Sequence, residues 1–188
     1  MSPPVIGSED GEKEAVLEAA KLMLVAARTA PKTAGVDDIE TLIVYGKDKD
    51  VIADKMEEIA AERKIEGFKR DAKNVRDSNA VVLIAVRGDR SIGLNCGGCG
   101  YEGCQEFDKA EKKLGKDFIG PACVFKALDL GISLGSAAKT ASTLDIDNRI
   151  MYRVGTAASK LKLLPQATII VGIPVSARGK NIYFDRSK

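Results

Sequence analysis

Seven consecutive apolar residues, Ala80 to Val86 (AVVLIAV), constrain this chain more than any other segment. A run so rich in β-branched side chains, with nothing polar to turn toward water, reads as a strand covered on both faces, so layers must pack above and below it. Ala167 to Val175 (ATIIVGIPV) is a second buried strand of this kind, and Ile39 to Tyr45 (IETLIVY), closed by Gly46, a third. Helical spacing fills the intervals. Val16, Leu17, Ala20, Met23, Leu24 and Ala27 predict a helix over 12–30 that Pro31 stops. Val51, Ile52, Met56, Ile59 and Ala60 predict another, with Asp48 as its N-cap, and a shorter helix is read around Phe68 and Val75. The pattern returns over 104–114, from Pro121 as a first-turn residue to about Ala141, and over 150–161. Strands separated by helices favour a layered α/β or α+β sheet over a bundle. At 188 residues one domain, 1–188, is expected.

Composition narrows the chemistry. There is no His, which removes Ser-His-Asp triads, Cys-His pairs and imidazole metal ligands. Lys and Arg total 29 against 27 Asp and Glu, and Trp is absent, so neither the charge nor the stacking platforms for nucleic-acid binding are supplied. The opening MSPPVIGSEDGEKE has no cationic segment leading into an apolar core, and no apolar run approaches the roughly 18 residues that span a bilayer. A cytoplasmic location without membrane contact is the expectation.

All four cysteines fall in one third of the chain, Cys96, Cys99, Cys104 and Cys123, spaced C-x2-C-x4-C-x18-C. The first three lie in a stretch, Gly93 to Cys104, that holds five glycines in twelve residues and follows neither structural period. A reducing compartment argues against two disulfides, so metal ligation is the best physical account of the cluster. Zinc frameworks usually pair two C-x2-C knuckles, whereas three ligands from one wrapping loop and a fourth from elsewhere suit an iron-sulfur cubane. Gly97, Gly98, Gly100 and Gly103 let the loop turn sharply and aim N–H groups at sulfur. Zinc and unliganded thiols stay open as alternatives.

The stretch NCGGCGYEGCQEF with Cys123 resembles the 4Fe-4S domain of the corrinoid iron-sulfur protein of acetyl-CoA synthesis and of the B subunit of Rnf electron-transport complexes. The likeness rests on Asn95, Cys96, Gly97, Cys99, Gly100, Cys104, Phe107 and Cys123, about thirty residues in span, and implies a 4Fe-4S cluster ligated by the four cysteines in an inserted segment over 93–125. The whole chain also resembles a family of uncharacterised ferredoxin-domain proteins, found largely in anaerobic bacteria and archaea. A third likeness is broader and less specific. AARTAPKTAGVDDIETLIVY, ALDLGISLGSAAKTA and LKLLPQATIIVGIPVSARGK resemble, in order, segments of the nitroreductase family. That implies an α+β, three-layer nitroreductase-like sandwich, a homodimer and FMN in the subunit interface. Departures from that family are the missing Arg-rich opening, Lys32 where Ser is usual after Pro31, and no aromatic residue after the loop.

A bound flavin phosphate needs cations, and the resemblance points to Arg28, Lys32, Arg178 and Lys180. Arg28 reads equally as a cation at a helix C-terminus, and Arg178 with Lys180 as an exposed turn. Gly131 and Gly135 are expected either to pack against another backbone or ring or to break the central helix. Lys109, Lys112, Lys113 and Lys116 read as a basic helix face, solvated or docking an acidic redox partner, and Asp37-Asp38 and Asp145-x-Asp147 as caps or turns. The functional expectation is an iron-sulfur redox protein, a flavin-dependent reductase if FMN binds. The alternatives are a ferredoxin-like electron carrier or an interaction module stabilised by zinc on the four cysteines.

Overall fold

The computed structural model describes residues 5–185, so the outermost residues of the expected domain, 1–4 and 186–188, lie outside it. The elements in chain order are α1 (Ser8–Thr29), β1 (Ile39–Tyr45), α2 (Asp48–Arg63), α3 (Glu66–Asp77), β2 (Ala80–Val86), α4 (Cys104–Lys109), β3 (Lys113–Leu114), β4 (Ile119–Gly120), α5 (Val124–Thr143), β5 (Asp147–Asn148), α6 (Tyr152–Lys160) and β6 (Ile169–Ser176). β1, β2, β6 and β5 form one antiparallel sheet in that order, and β3 pairs with β4 in a small separate hairpin.

The apolar run does what its composition requires. Every residue of β2 is buried, and alternation sends Ala80, Val82, Ile84 and Val86 to one face and Val81, Leu83 and Ala85 to the other. The first set packs with Val16, Ala20, Met23 and Ala27 of α1 and Leu130, Leu134, Ala137 and Ala141 of α5. The second packs with Ile52, Met56 and Ile59 of α2, Phe68 and Val75 of α3, and Val154 and Ala158 of α6. The result is a three-layer α+β sandwich. Each buried Val, Leu or Ile contributes about 1.5–3 kcal/mol relative to exposure, so the two covered faces of β2 are a large part of the stability.

Local differences from the sequence expectation have identifiable causes. Asp48 lies inside the first turn of α2, and Lys47 occupies the cap without a side-chain bond. The helix beginning at Cys104 stops at Lys109, because the Lys112 ammonium turns back to take the Phe107 and Ala110 carbonyls and the chain then enters β3. Pro121 precedes α5, with Cys123 at the cap position. α5 runs unbroken through Gly131 and Gly135, and an added Cβ at either would meet nothing within 4 Å, so neither expected role holds within the chain. Asp37 and Asp38 serve no helix. They precede β1, where Asp37 accepts the Ile39 N–H. Among the described residues no helix is long and apolar enough to cross a membrane.

α6 lies so close to β6 that a Cβ on Gly155 would sit 1.7 Å from the Ile170 carbonyl oxygen. Gly155→Ala is therefore expected to cost about 3 kcal/mol or more in chemical denaturation, at the upper end of overpacking penalties. An unchanged denaturation midpoint would contradict this packing.

Candidate functional site

β2 delivers the chain to the site. Two residues past its end, the Gly88 carbonyl accepts the Cys123 N–H at 2.8 Å and the Gly88 N–H donates to Thr168 Oγ1 at 2.7 Å. The end of this interior strand is thereby tied to the start of α5. Residues 89–103 have no regular helix or strand, as their glycine content predicts, and Cys104 opens α4. Cys104 and Cys123 thus both stand at helix N-termini, where unpaired N–H groups favour negative charge on sulfur.

Asn95 clasps Cys104 twice. Its backbone N–H donates to Cys104 Sγ at 3.2 Å, and its Oδ1 accepts the Cys104 N–H at 2.9 Å. The left-handed φ of +47° at Asn95, a conformation Asn tolerates better than most residues, makes both bonds reachable. The Asn95 amide is the main reason the Cys104 thiol is held below its ordinary value. Burial opposes it, and Ser91 and Gly93 act in the same direction as Asn95. Gly98 carries the loop onto the helix: a Cβ there would lie 2.7 Å from Val124 Cγ1 and 3.6 Å from Cys96 Sγ, so only glycine allows this approach. Cys96 is exposed, Cys99 and Cys104 are half-buried, Cys123 is buried, and all four are free thiols.

The loop thus links Cys96 to α5 through Gly98 and to Cys104 through Asn95. Among the described residues no group of three or more Cys, Asp or Glu side chains is drawn together closely enough to hold a single metal ion. The set offers four thiols, one of which, Cys104, accepts a backbone N–H, and thiolates of this kind are the ligands of zinc and of iron-sulfur clusters.

Beneath Cys123 lies a charged layer that the sequence did not disclose. Lys126, one helical turn on and 1% exposed, pairs with Asp38, whose other oxygen takes Arg87 at 3.0 Å. Arg87 Nε is 3.6 Å from Glu40. Asp129 Oδ1 accepts the Thr33 N–H at 2.9 Å and its hydroxyl at 2.8 Å, pinning the short 3-10 turn Thr33–Gly35 to α5. A lysine and an aspartate three residues apart inside the mostly apolar VFKALDLGISLG segment were the available signal.

The four candidate flavin cations do not converge. Arg28 donates to Asp37 at 2.5 Å and to the Ile39 carbonyl at 2.8 Å, at the sheet end where β1 begins and β2 ends. Lys32 caps α1 by donating to the Ala27, Arg28 and Ala30 carbonyls. Arg178 donates to the Asp77 carbonyl, just before β2 begins, and Lys180 pairs with Asp185 at 2.7 Å. The two pairs are separated by a strand length, roughly 20 Å, and each cation already has a protein partner. Within one chain they do not fit an FMN phosphate. The expected basic helix face is dispersed as well: Lys112 lies 3.9 Å from the centre of the Phe107 ring and Lys113 pairs with Glu111.

The chain belongs to the family described as uncharacterized protein containing a ferredoxin domain (DUF2148), whose model matches residues 119–186 and so includes Cys123 of the four cysteines. A protein of Archaeoglobus fulgidus, described as uncharacterized, is 49% identical over 183 residues, 97% of this chain and 98% of its own. Among solved structures, the nitroreductase CinD from Lactococcus lactis in complex with nicotinic acid matches with a TM-score of 0.58 at 14% identity, covering 94% of this chain and 81% of that one. An oxidoreductase containing FMN matches with a TM-score of 0.55 at 17% identity, covering 87% and 67%. At such identities the likeness is one of fold, and the fold is nitroreductase-like.

The Cys104 environment makes a solution prediction. In metal-free protein the thiolate fraction at this site, followed by the pH dependence of alkylation and peptide mass spectrometry, should rise below the ordinary thiol range. A midpoint at or above that range would contradict the Asn95 contact.

Proposed function

We propose that this protein is an iron-sulfur redox protein in which Cys96, Cys99, Cys104 and Cys123 hold a 4Fe-4S cluster on a segment, 93–125, inserted into the nitroreductase-like sandwich, and that it acts as an electron carrier in the cytoplasm. The observation that carries this reading is the clasp on Cys104, where an amide donates to the sulfur of one of four free thiols, three of them in one glycine-rich stretch. The membership of the chain in a ferredoxin-domain family supports it. When bound, such a cluster supplies one-electron transfer. The residues around it set the conditions. The Asn95 amide draws charge from Cys104 sulfur and favours the more negative state. Burial of Cys123 at the start of α5 withholds water from that side, while the exposed Cys96 faces the surface where a partner protein would dock.

A carrier is preferred to a flavin reductase because Arg28, Lys32, Arg178 and Lys180 are engaged by the chain itself and lie at two ends of the sheet. No flavin step belongs to the proposal. A homodimer does. Leu22 and Val25 on α1 and Leu128 and Ile132 on α5 are exposed apolar side chains, and a groove of about 520 Å³ runs between these helices.

Anoxically purified protein should contain iron and acid-labile sulfide in equal amounts, at the level of one cubane per chain, and no flavin. Cys123→Ala should lose or convert the cluster while circular dichroism shows the sandwich intact. Stoichiometric zinc without iron, or unfolding of the whole chain in this variant, would overturn the assignment. For the dimer, Ile132→Glu should turn a dimer into a monomer in sedimentation velocity, and a monomeric parent protein would remove the interface.

A further inference from the structure

A carboxylate on α4 holds the stretch of chain that faces Cys104. Asp108 lies one helical turn beyond Cys104, and its two oxygens accept the Ser91 N–H and the Ser91 hydroxyl, each at 2.8 Å. Four residues after Ser91, Asn95 is bonded to Cys104 itself, through its N–H to sulfur at 3.2 Å and through its Oδ1 to the Cys104 N–H at 2.9 Å. The stretch 91–95 is therefore tethered at both ends to successive turns of one helix. Gly93, between the tethers, takes a left-handed φ of +84°, which turns the chain at a position where a side chain would be strained. Alternate residues of the stretch, Ser91, Gly93 and Asn95, all favour negative charge on the Cys104 sulfur.

We infer that Asp108 is a positioning residue for the thiol site: by fixing Ser91 it keeps the Asn95 amide on the Cys104 sulfur, and so raises the reduction potential of a cluster held there. The effect on potential rests on the iron-sulfur reading above; the tether itself does not.

Two effects of this one side chain oppose each other. Bonds from N–H to sulfur stabilise the more negative, reduced state of a thiolate-ligated cluster, so the tether raises the potential. The carboxylate charge, four residues from Cys104 and so on the same face of the helix, disfavours that state. Asp108→Asn removes the charge and keeps the tether, since an amide offers its oxygen to the Ser91 N–H and its NH2 to the Ser91 hydroxyl oxygen. Asp108→Ala removes both. The difference between the two variants reads the tether alone.

The test is anoxic redox titration of the full chain carrying each substitution, with hydrogen exchange of the peptide spanning 91–95 followed by mass spectrometry on the same samples. Asp108→Ala should have a lower potential than Asp108→Asn, by about a tenfold change in the ratio of reduced to oxidised protein at a fixed poise. Exchange in the 91–95 peptide should be about tenfold faster in Asp108→Ala than in the parent, and close to the parent in Asp108→Asn. Equal potentials in the two variants, or unchanged exchange in Asp108→Ala, would each overturn the inference. Iron and sulfide counts keep the two ideas apart, because exchange reads the tether whether or not the chain carries iron. Faster exchange in Asp108→Ala of an iron-free chain would remove the cluster and leave the tether, and iron with one shared potential would do the reverse.

Discussion

One backbone hydrogen bond, from the Cys123 amide to the Gly88 carbonyl, joins the buried sheet to the segment that carries the thiols. Gly88 is itself pressed between Thr168 and Ala122, where a Cβ would lie 2.9 Å from the Thr168 hydroxyl and 3.2 Å from the Ala122 Cβ. The first turn of α5 is therefore fixed to the end of a strand buried on both faces. From that fixed point the rest of the site is a short chain of contacts, Val124 to Gly98, Gly98 to Cys96, and Asn95 to Cys104. Each contact is weak alone, since a neutral hydrogen bond contributes about 1 kcal/mol net. Ordering a fifteen-residue irregular segment costs considerably more backbone entropy than these bonds return. A ligand that binds several thiolates at once is the natural source of the difference.

The layer below Cys123 works differently. Lys126, Arg87, Asp38 and Glu40 are two cations and two carboxylates, so the network is neutral as a unit. Replacing such a group wholesale by apolar residues is often harmless, whereas removing one member strands a buried charge. Its structural effect is to hold the turn after α1, the first residues of β1 and the first turns of α5 in one arrangement. Asp129 adds to this by gripping Thr33 from the next turn of α5. The helix that supplies the fourth cysteine is thus anchored by charge on one side and by Leu130, Leu134 and Ala137 on the other.

Strands and long helices were legible because their signals are local and periodic. Ile39–Tyr45 and Ala80–Val86 match the sequence reading at both ends, and the two-sided burial of the second follows from its lack of polar residues. The fold likeness was legible from scattered segments. What failed was nonlocal. Nothing near Lys112 says that its ammonium returns to the Phe107 carbonyl and ends α4, and Asp38 looks like a cap until Lys126, far along the chain, is brought against it. The four cations chosen for a flavin were judged by position relative to strand ends, and sequence alone does not show that Asp37, Asp77, Asp185 and helix carbonyls already hold them.

In the proposed function, sulfur from four cysteines surrounds a polynuclear iron core. X-ray absorption at the iron edge of protein prepared without oxygen addresses it directly. A first coordination shell of sulfur alone, with neighbouring iron atoms in the second shell, is expected. A shell containing nitrogen or oxygen ligands, iron with no iron neighbour, or a metal edge from zinc alone would contradict it.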